Sequence, residues 1–109
     1  MKKSLIILGL MLASAVSTFA MEKPKVIMFH MHGCSACRQF APTFDKMSAK
    51  YADKFSFSKE DANSKLADQL GISYAPMVFI MDSEKNTKTA IDADCLASPS
   101  CFENKLQKY

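Results

Sequence analysis

The chain has 109 residues, of which 49% are hydrophobic and 23% charged, and its formal net charge is +3. This length fits one domain at most, and these fractions are near globular averages, which excludes a disordered, collagen-like or coiled-coil chain. Four cysteines in 109 residues fall below the roughly 8–10% typical of a domain built on disulfides, so we expect them to mark sites rather than the whole scaffold.

Residues 1–20 have the pattern of a secretory signal peptide. Lys2 and Lys3 precede an apolar stretch, and small residues follow up to Ala20, which predicts cleavage before Met21. An uncleaved membrane anchor is the alternative, but the uncharged stretch over 4–21 has only 18 residues, and a span needs about 20 apolar ones. We therefore expect a leader over 1–20 and a domain over 21–109, periplasmic or secreted, with no stable membrane association after cleavage.

Removal of this leader also changes the charge. The leader holds two of the 14 basic residues and none of the 11 acidic ones, so the net charge of 21–109 is +1. No basic patch remains that would attract nucleic acid. An exported chain also enters an oxidising compartment, where cysteines can be paired or catalytic.

The remaining chain begins with a predicted strand and a long helix. The run over 25–30 is short, apolar and β-branched, as expected for a strand buried on both faces. From Cys34 to about Asp53, large apolar side chains recur at helical spacing. Pro42 lies inside this pattern and is expected to kink the helix rather than end it. The apolar stripe consists of Phe40, Phe44, Met47 and Tyr51.

Cys34 and Cys37 lie where this strand ends and the helix begins. A thiolate at a helix N-terminus faces unsatisfied backbone N–H groups and the positive end of the dipole, which lower its pKa and make it nucleophilic. Cys37 follows one turn later and can resolve a mixed disulfide formed at Cys34. An imidazolium at His32 would lower the pKa of the Cys34 thiol further. The pattern therefore predicts a redox-active pair.

Shorter elements follow. A second strand is predicted over 55–58, and Asn63 is expected to cap a short helix that reaches Leu70 and closes at Gly71. A third strand over 77–81 and a polar turn over 82–86 lead to a fourth strand over 87–91, antiparallel to the third. A last helix is predicted from about Ser100 to Lys108. The order β-α-β-α-β-β-α predicts an α/β fold with a central mixed sheet and helices on its faces.

Cys95 and Cys101 are six residues apart, with Pro99 between them. In an exported domain with a small core, a structural disulfide that closes this loop before the last helix is favoured. A zinc site shared with Cys34 and Cys37 is the first alternative, but a zinc ribbon more often has a second Cys-x-x-Cys. A second redox relay is the other alternative.

In these elements the sequence resembles the thioredoxin family. The stretch CRQFAPTFDKM over 37–47 is similar to the family's active-site helix with its internal proline, and GISYAPMVFI over 71–80 is similar to the segment that carries its cis-proline. The resemblance covers 25–109 and implies a minimal thioredoxin-like fold. It also implies that the Ala75–Pro76 bond is cis, that it packs beside Cys34, and that the backbone of Ala75 pairs with an extended substrate.

Three features differ from thioredoxin. The residues between the cysteines are Ser35 and Ala36 instead of Gly-Pro, Gly33 replaces a tryptophan, and Met28 replaces a buried aspartate that assists proton transfer to the resolving cysteine. The direction of the reaction depends on the reduction potential against the partners, so reduction is only slightly favoured over oxidation or isomerisation.

The sequence thus predicts an exported thiol–disulfide oxidoreductase in which Cys34 attacks, Cys37 resolves and Pro76 positions the substrate. Its expected partners are protein thiols or disulfides and a redox partner protein, with no organic cofactor, and we expect a monomer. The alternative is a copper- or zinc-binding module. If the first strand continued, His30 and His32 would share a face and complete a His-x-His-x-Cys-x-x-Cys ligand set.

Overall fold

The computed structural model describes residues 22–109, so the expected leader lies outside the described residues. In this part of the chain, strands and helices alternate in the predicted order, with one additional helical turn near the C-terminus. The elements are β1 (Lys25–His30), α1 (Ser35–Lys50), β2 (Ser56–Asp61), α2 (Lys65–Leu70), β3 (Met77–Asp82), β4 (Thr87–Ile91), α3 (Ala93–Leu96) and α4 (Pro99–Lys108). No helix within 22–109 is long and apolar enough to cross a bilayer.

The four strands form one mixed sheet in the order β2-β1-β3-β4. β1 pairs in parallel with β2 and antiparallel with β3, and β3 pairs antiparallel with β4. This confirms the predicted α/β fold with a central mixed sheet. Because β1 has a strand on each side, the end of β1 and the residues that follow it lie at the middle of the sheet edge.

The apolar side chains of β1, from Val26 to Phe29, are buried on both faces, as the continuous apolar run predicts. Val26 and Met28 face the larger core, which α1 and α4 cover, whereas Ile27 and Phe29 face a smaller core covered by α2. The larger core consists of Val26, Met28, Phe40, Phe44, Met47, Phe55, Val78, Ile80, Ile91, Leu96, Phe102 and Leu106.

Two polar contacts join the end of α1 to α4. The hydroxyl of Tyr51 donates a hydrogen bond to Oε2 of Glu103 at 2.7 Å, and the ammonium group of Lys50 binds the same oxygen. The hydrogen bond from Lys50, followed by that from Tyr51, lowers the pKa of Glu103. The two helices on this face of the sheet are therefore held together by packing and by a charged contact.

Several element boundaries differ from the prediction. α1 ends at Lys50 rather than near Asp53, because Tyr51 turns inward against the core and a turn follows. Pro42 lies inside α1 without ending it, as predicted. β2 extends to Asp61, since the charged residues that end it lie on a strand at the edge of the sheet and still pair with β1.

The cap of α2 also differs. Asn63 is not the N-cap; the cap is Ser64, whose hydroxyl accepts a hydrogen bond from the Ala67 N–H at 3.2 Å. The N–H of Asn63 instead donates to Oδ1 of Asp61 at 2.7 Å, which stabilises the preceding turn. Gly71 closes α2 with a φ of 72°, as predicted.

The sequence prediction missed α3, a single turn between β4 and the last helix. Asp92 caps it by accepting a hydrogen bond from the Cys95 N–H at 3.3 Å, and Leu96 is buried beneath it. The last helix begins at Pro99, one residue earlier than predicted, because proline is well suited to the first helical position.

Candidate functional site

A tight turn between β1 and α1 forms the site. Gly33 has a φ of 77°, in the left-handed region that glycine adopts without steric cost. A Cβ at this position would meet no atom within 4 Å, so backbone conformation rather than lack of space favours glycine here. The turn places Cys34 at the N-cap of α1, with extended backbone angles.

A disulfide joins Cys34 to Cys37, whose Cα atoms are 5.3 Å apart. Sγ of Cys34 accepts a hydrogen bond from the backbone N–H of Cys37 at 3.1 Å. Cys34 is half-buried, whereas Cys37 is buried with 4% of its surface exposed. A thiol or disulfide from solution therefore reaches Sγ of Cys34 more easily than Sγ of Cys37. After reduction, the N-terminal N–H groups of α1 would stabilise a thiolate at Cys34.

The segment that follows α2 reaches the same place. The Ala75–Pro76 peptide bond is cis, as the resemblance implies, and the carbonyl oxygen of Ala75 lies 3.9 Å from Sγ of Cys34. Pro76 is buried, but Tyr74 just before it has 49% of its surface exposed. Cys34 and the backbone of Ala75 thus present a sulfur and polar main-chain groups side by side at the surface.

The two histidines do not form the shared strand face that the metal hypothesis requires. β1 stops at His30, and His32 lies in the turn that follows. Both line a groove beside Cys34. Within residues 22–109, no three His, Cys, Asp or Glu side chains are grouped so that they could hold a metal ion.

Cys95 and Cys101 are joined by a second disulfide, between α3 and α4, with their Cα atoms 5.3 Å apart. The four cysteines are therefore paired two by two, and the four-cysteine zinc arrangement is not formed. Beside this corner, a hollow of about 180 Å³ lies between α3 and the first turns of α1, with Ala36, Pro76 and Leu96 among its lining residues.

Two basic side chains near the pair were missed by the sequence prediction. Arg38 and Lys59 line the same groove as Cys34 and Cys37. Arg38 follows Cys34 by four residues, a spacing that places both on one face of a helix, so the sequence did carry a signal for it. The position of Lys59 depends on how β2 pairs with β1, which the sequence alone does not show.

Comparisons with known proteins agree with this geometry. The family model described as Thioredoxin matches residues 12–98. Thioredoxin from Borreliella burgdorferi is 22% identical over 94 residues, which are 84% of this chain and 78% of the relative. The structure is similar to the germline-specific thioredoxin Deadhead of Drosophila melanogaster, with a TM-score of 0.70, 18% identity, and 88% and 90% of the two chains covered.

A second solved structure, the thioredoxin of Malassezia sympodialis, has a TM-score of 0.68 and 27% identity, with 79% of this chain and 74% of the other covered. The family match extends over most of the chain and includes both cysteines of the redox pair and the cis-proline. The protein therefore belongs to the thioredoxin family and is a thiol–disulfide oxidoreductase.

Proposed function

We propose that this protein is exported and exchanges disulfides with protein substrates through Cys34 and Cys37. The observation that carries the proposal is the unequal exposure of the two sulfurs at the start of α1, beside the cis Ala75–Pro76 bond. Proteins of this family act in general on protein disulfides together with redox partners, which supports the substrate class.

The reduced protein acts in two displacement steps. The Cys34 thiolate attacks one sulfur of a substrate disulfide, the substrate S–S bond breaks, and the departing thiolate takes a proton from solvent. Cys37 then loses its proton and attacks Sγ of Cys34, which releases the second substrate thiol. One substrate disulfide becomes two thiols while the protein dithiol becomes a disulfide, and the reverse sequence oxidises a substrate.

Pro76 and Ala75 position the substrate in this proposal. Pro76 holds the preceding loop beside Cys34, and the main-chain groups of Ala75 would pair there with an extended peptide. The short distance between the Ala75 carbonyl oxygen and Sγ of Cys34 would place the sulfur of such a peptide near the attacking atom.

Insulin reduction with dithiothreitol as electron donor tests the activity. We expect Cys34→Ser to abolish it, because the attacking sulfur is lost. In a separate reaction without dithiothreitol, we expect reduced Cys37→Ser to form a mixed disulfide with insulin at Cys34 that mass spectrometry detects. The double variant Cys95→Ser/Cys101→Ser is the control that removes two cysteines outside the pair. Equal activity in Cys34→Ser and the parent would contradict the proposed role.

His32 is the proposed pKa-tuning residue, because it lies two residues before Cys34 and lines the same groove. As a cation it would favour the thiolate form of Cys34. We expect His32→Ala to raise the pKa of the Cys34 thiol, measured by the ultraviolet absorbance of the thiolate. An unchanged titration would remove His32 from the mechanism.

Reduction is the slightly favoured direction, and equilibration with glutathione measures the potential that decides it. A value near about −270 mV would support a reductase that needs an electron donor, whereas a value near about −120 mV would support an oxidase.

Export through the leader over 1–20 is part of the proposal, with a periplasmic or secreted monomer as the product. The family match begins at residue 12, inside the expected leader, so the N-terminus needs a direct measurement. We expect mass spectrometry of the expressed full chain to find an exported form that begins at Met21, and light scattering to find a monomer. An intact chain that stays in the cytoplasm would contradict export.

A further inference from the structure

A groove of about 620 Å³ opens beside the cysteine pair and is lined by Lys59 of β2 but not by Pro76. It is therefore separate from the hollow between Pro76 and α3. Three side chains give it a largely apolar floor, namely Met28, Met31 and Ala41. Gly33, which also lines it, has no side chain to close its outer edge.

The fold directs the cysteine pair and two cations into this groove. Arg38 and Ala41 follow Cys34 by four and seven residues in α1, so they lie on the same helix face as the attacking sulfur. On the sheet, Lys59 is the register partner of Met28 in the parallel β1–β2 pair, so both point to the face that α1 covers.

Two cationic side chains, Arg38 and Lys59, line the groove together with His30 and His32, and no aspartate or glutamate is among the lining residues. Within residues 22–109, Arg38 has no carboxylate at ion-pair distance. Lys59 contacts Asp45 at 3.0 Å, but 42% of the Lys59 side chain and 61% of the Asp45 side chain are exposed, and exposed pairs are weak enough to be exchanged for another anion.

We propose that this groove selects small disulfides that carry a carboxylate close to the reacting sulfur. Its volume lies in the range of about 300–1,000 Å³ typical of small-ligand sites. The apolar floor would take the carbon chain, while Arg38 binds the carboxylate through two N–H groups and Lys59 adds a second charge. The inference rests on the proposed function, because Cys34 performs the exchange.

The reaction balances with the protein as reductant. The Cys34 thiolate attacks the nearer sulfur of the small disulfide, its S–S bond breaks, and the first small thiolate leaves and takes a proton from solvent. Cys37 then loses its proton and displaces the second small thiolate from Cys34. Two small thiols form, and the protein dithiol supplies both electrons as it becomes a disulfide.

Three disulfides of similar length test the inference by stopped-flow oxidation of the reduced protein. Dithiodipropionate is anionic, hydroxyethyl disulfide is neutral and cystamine is cationic. The measured quantity is the rate with each charged disulfide divided by the rate with the neutral one. This ratio cancels any change in the reactivity of Cys34, because such a change affects all three substrates alike.

We expect Arg38→Gln and Lys59→Gln each to lower the anionic-to-neutral ratio by about threefold, the size of one exposed charge pair, and to raise the cationic-to-neutral ratio. Lys88→Gln is the matched control, since Lys88 is an exposed strand lysine on β4 at the opposite edge of the sheet. The preference should fade at about 1 M salt, where the Debye length is about 3 Å.

Two outcomes would overturn this assignment, and a third would contradict the proposed function on which it rests. Unchanged ratios in folded Arg38→Gln and Lys59→Gln proteins would overturn the groove assignment. If these proteins still reacted with hydroxyethyl disulfide, the proposed function would stand. An equal change in Lys88→Gln would show an effect of net charge and also overturn it. No reaction with any disulfide would instead contradict the proposed function itself.

Discussion

Asp82 shows how one side chain connects the sheet to the C-terminus. It ends β3, is buried, and its carboxylate accepts hydrogen bonds from the hydroxyl of Tyr109 at 2.8 Å and from the N–H groups of Glu84 and Lys85 at 3.0 and 3.2 Å. The bond from Tyr109 is the largest cause that lowers the pKa of Asp82. The carboxylate thus holds both the β3–β4 turn and the last residue of the chain.

The lowered pKa predicts a stability that depends on pH. A carboxyl group whose pKa is depressed by folding stabilises the protein above its unfolded pKa, and this contribution is lost as the pH falls through the folded value. We therefore expect Asp82→Asn to lower the melting temperature at neutral pH. Between about pH 5 and pH 3, the melting temperature of the variant should fall less than that of the parent protein. Thermal unfolding over a pH series measures both effects.

Asp53→Asn is the control for this prediction, because Asp53 is exposed in the turn after α1. Tyr109→Phe should show part of the effect of Asp82→Asn, since it removes the largest cause of the shift and leaves the two backbone donors. Identical pH profiles of Asp82→Asn and the parent would contradict the assigned role of the carboxylate.

At the scale of single elements, the structure departs from the sequence prediction where two local signals compete. Asn63 and Ser64 are both good N-caps, and only the turn from β2 decides that Asn63 bonds to Asp61 and leaves Ser64 to cap α2. α3 has one turn, and a helix this short depends on packing and on a cap rather than on periodicity. The longer strands and helices carried enough repeats to be predicted.

The α3–α4 corner depends on the disulfide between Cys95 and Cys101. This bond closes a short loop across a sequence separation of six, which in the chain-entropy account stabilises the folded state by about 2 kcal/mol. We expect the double variant Cys95→Ala/Cys101→Ala to lose a free energy of unfolding of this size, measured by urea denaturation.

A second arm separates loss of the bond from loss of the side chains. In a Cys34→Ser/Cys37→Ser protein, a reductant can open only the Cys95–Cys101 bond among residues 22–109. We expect the reductant to lower the free energy of unfolding of that protein. In a variant that lacks all four cysteines, we expect the reductant to leave the free energy of unfolding unchanged. Equal stability with and without reductant would mean that the bond does not stabilise the corner.

At the scale of the whole molecule, the sequence was sufficient for the parts of the site that lie close together along the chain. Cys34 and Cys37 form a local motif at a predicted helix start, and Pro76 was found through the family resemblance. Lys59 reaches the site only through strand pairing, and α3, which lines the hollow beside Pro76, reaches it only through helix packing. Those contacts depend on tertiary structure, which periodicity and spacing do not specify.

The direction of the redox reaction is a property of the whole fold, because folding and oxidation of the pair form one thermodynamic cycle. If the folded protein has a lower potential than the unfolded chain, its disulfide is stabilised by folding, and the oxidised form is harder to unfold than the reduced form. For this two-electron couple, about 30 mV corresponds to about 1.4 kcal/mol. If the protein acts as a reductase, as we propose, we expect the oxidised form to be the more stable.

Urea unfolding of the oxidised and the reduced form checks this expectation. Both forms carry the substitutions Cys95→Ala and Cys101→Ala, so that the reductant opens only the Cys34–Cys37 bond. A reduced form that is more stable would indicate that the N-terminal N–H groups of α1 and the nearby cations favour the Cys34 thiolate more than folding favours the disulfide. In that case the protein would be an oxidant, and glutathione equilibration would have to give a correspondingly higher potential, because the two measurements close the same cycle.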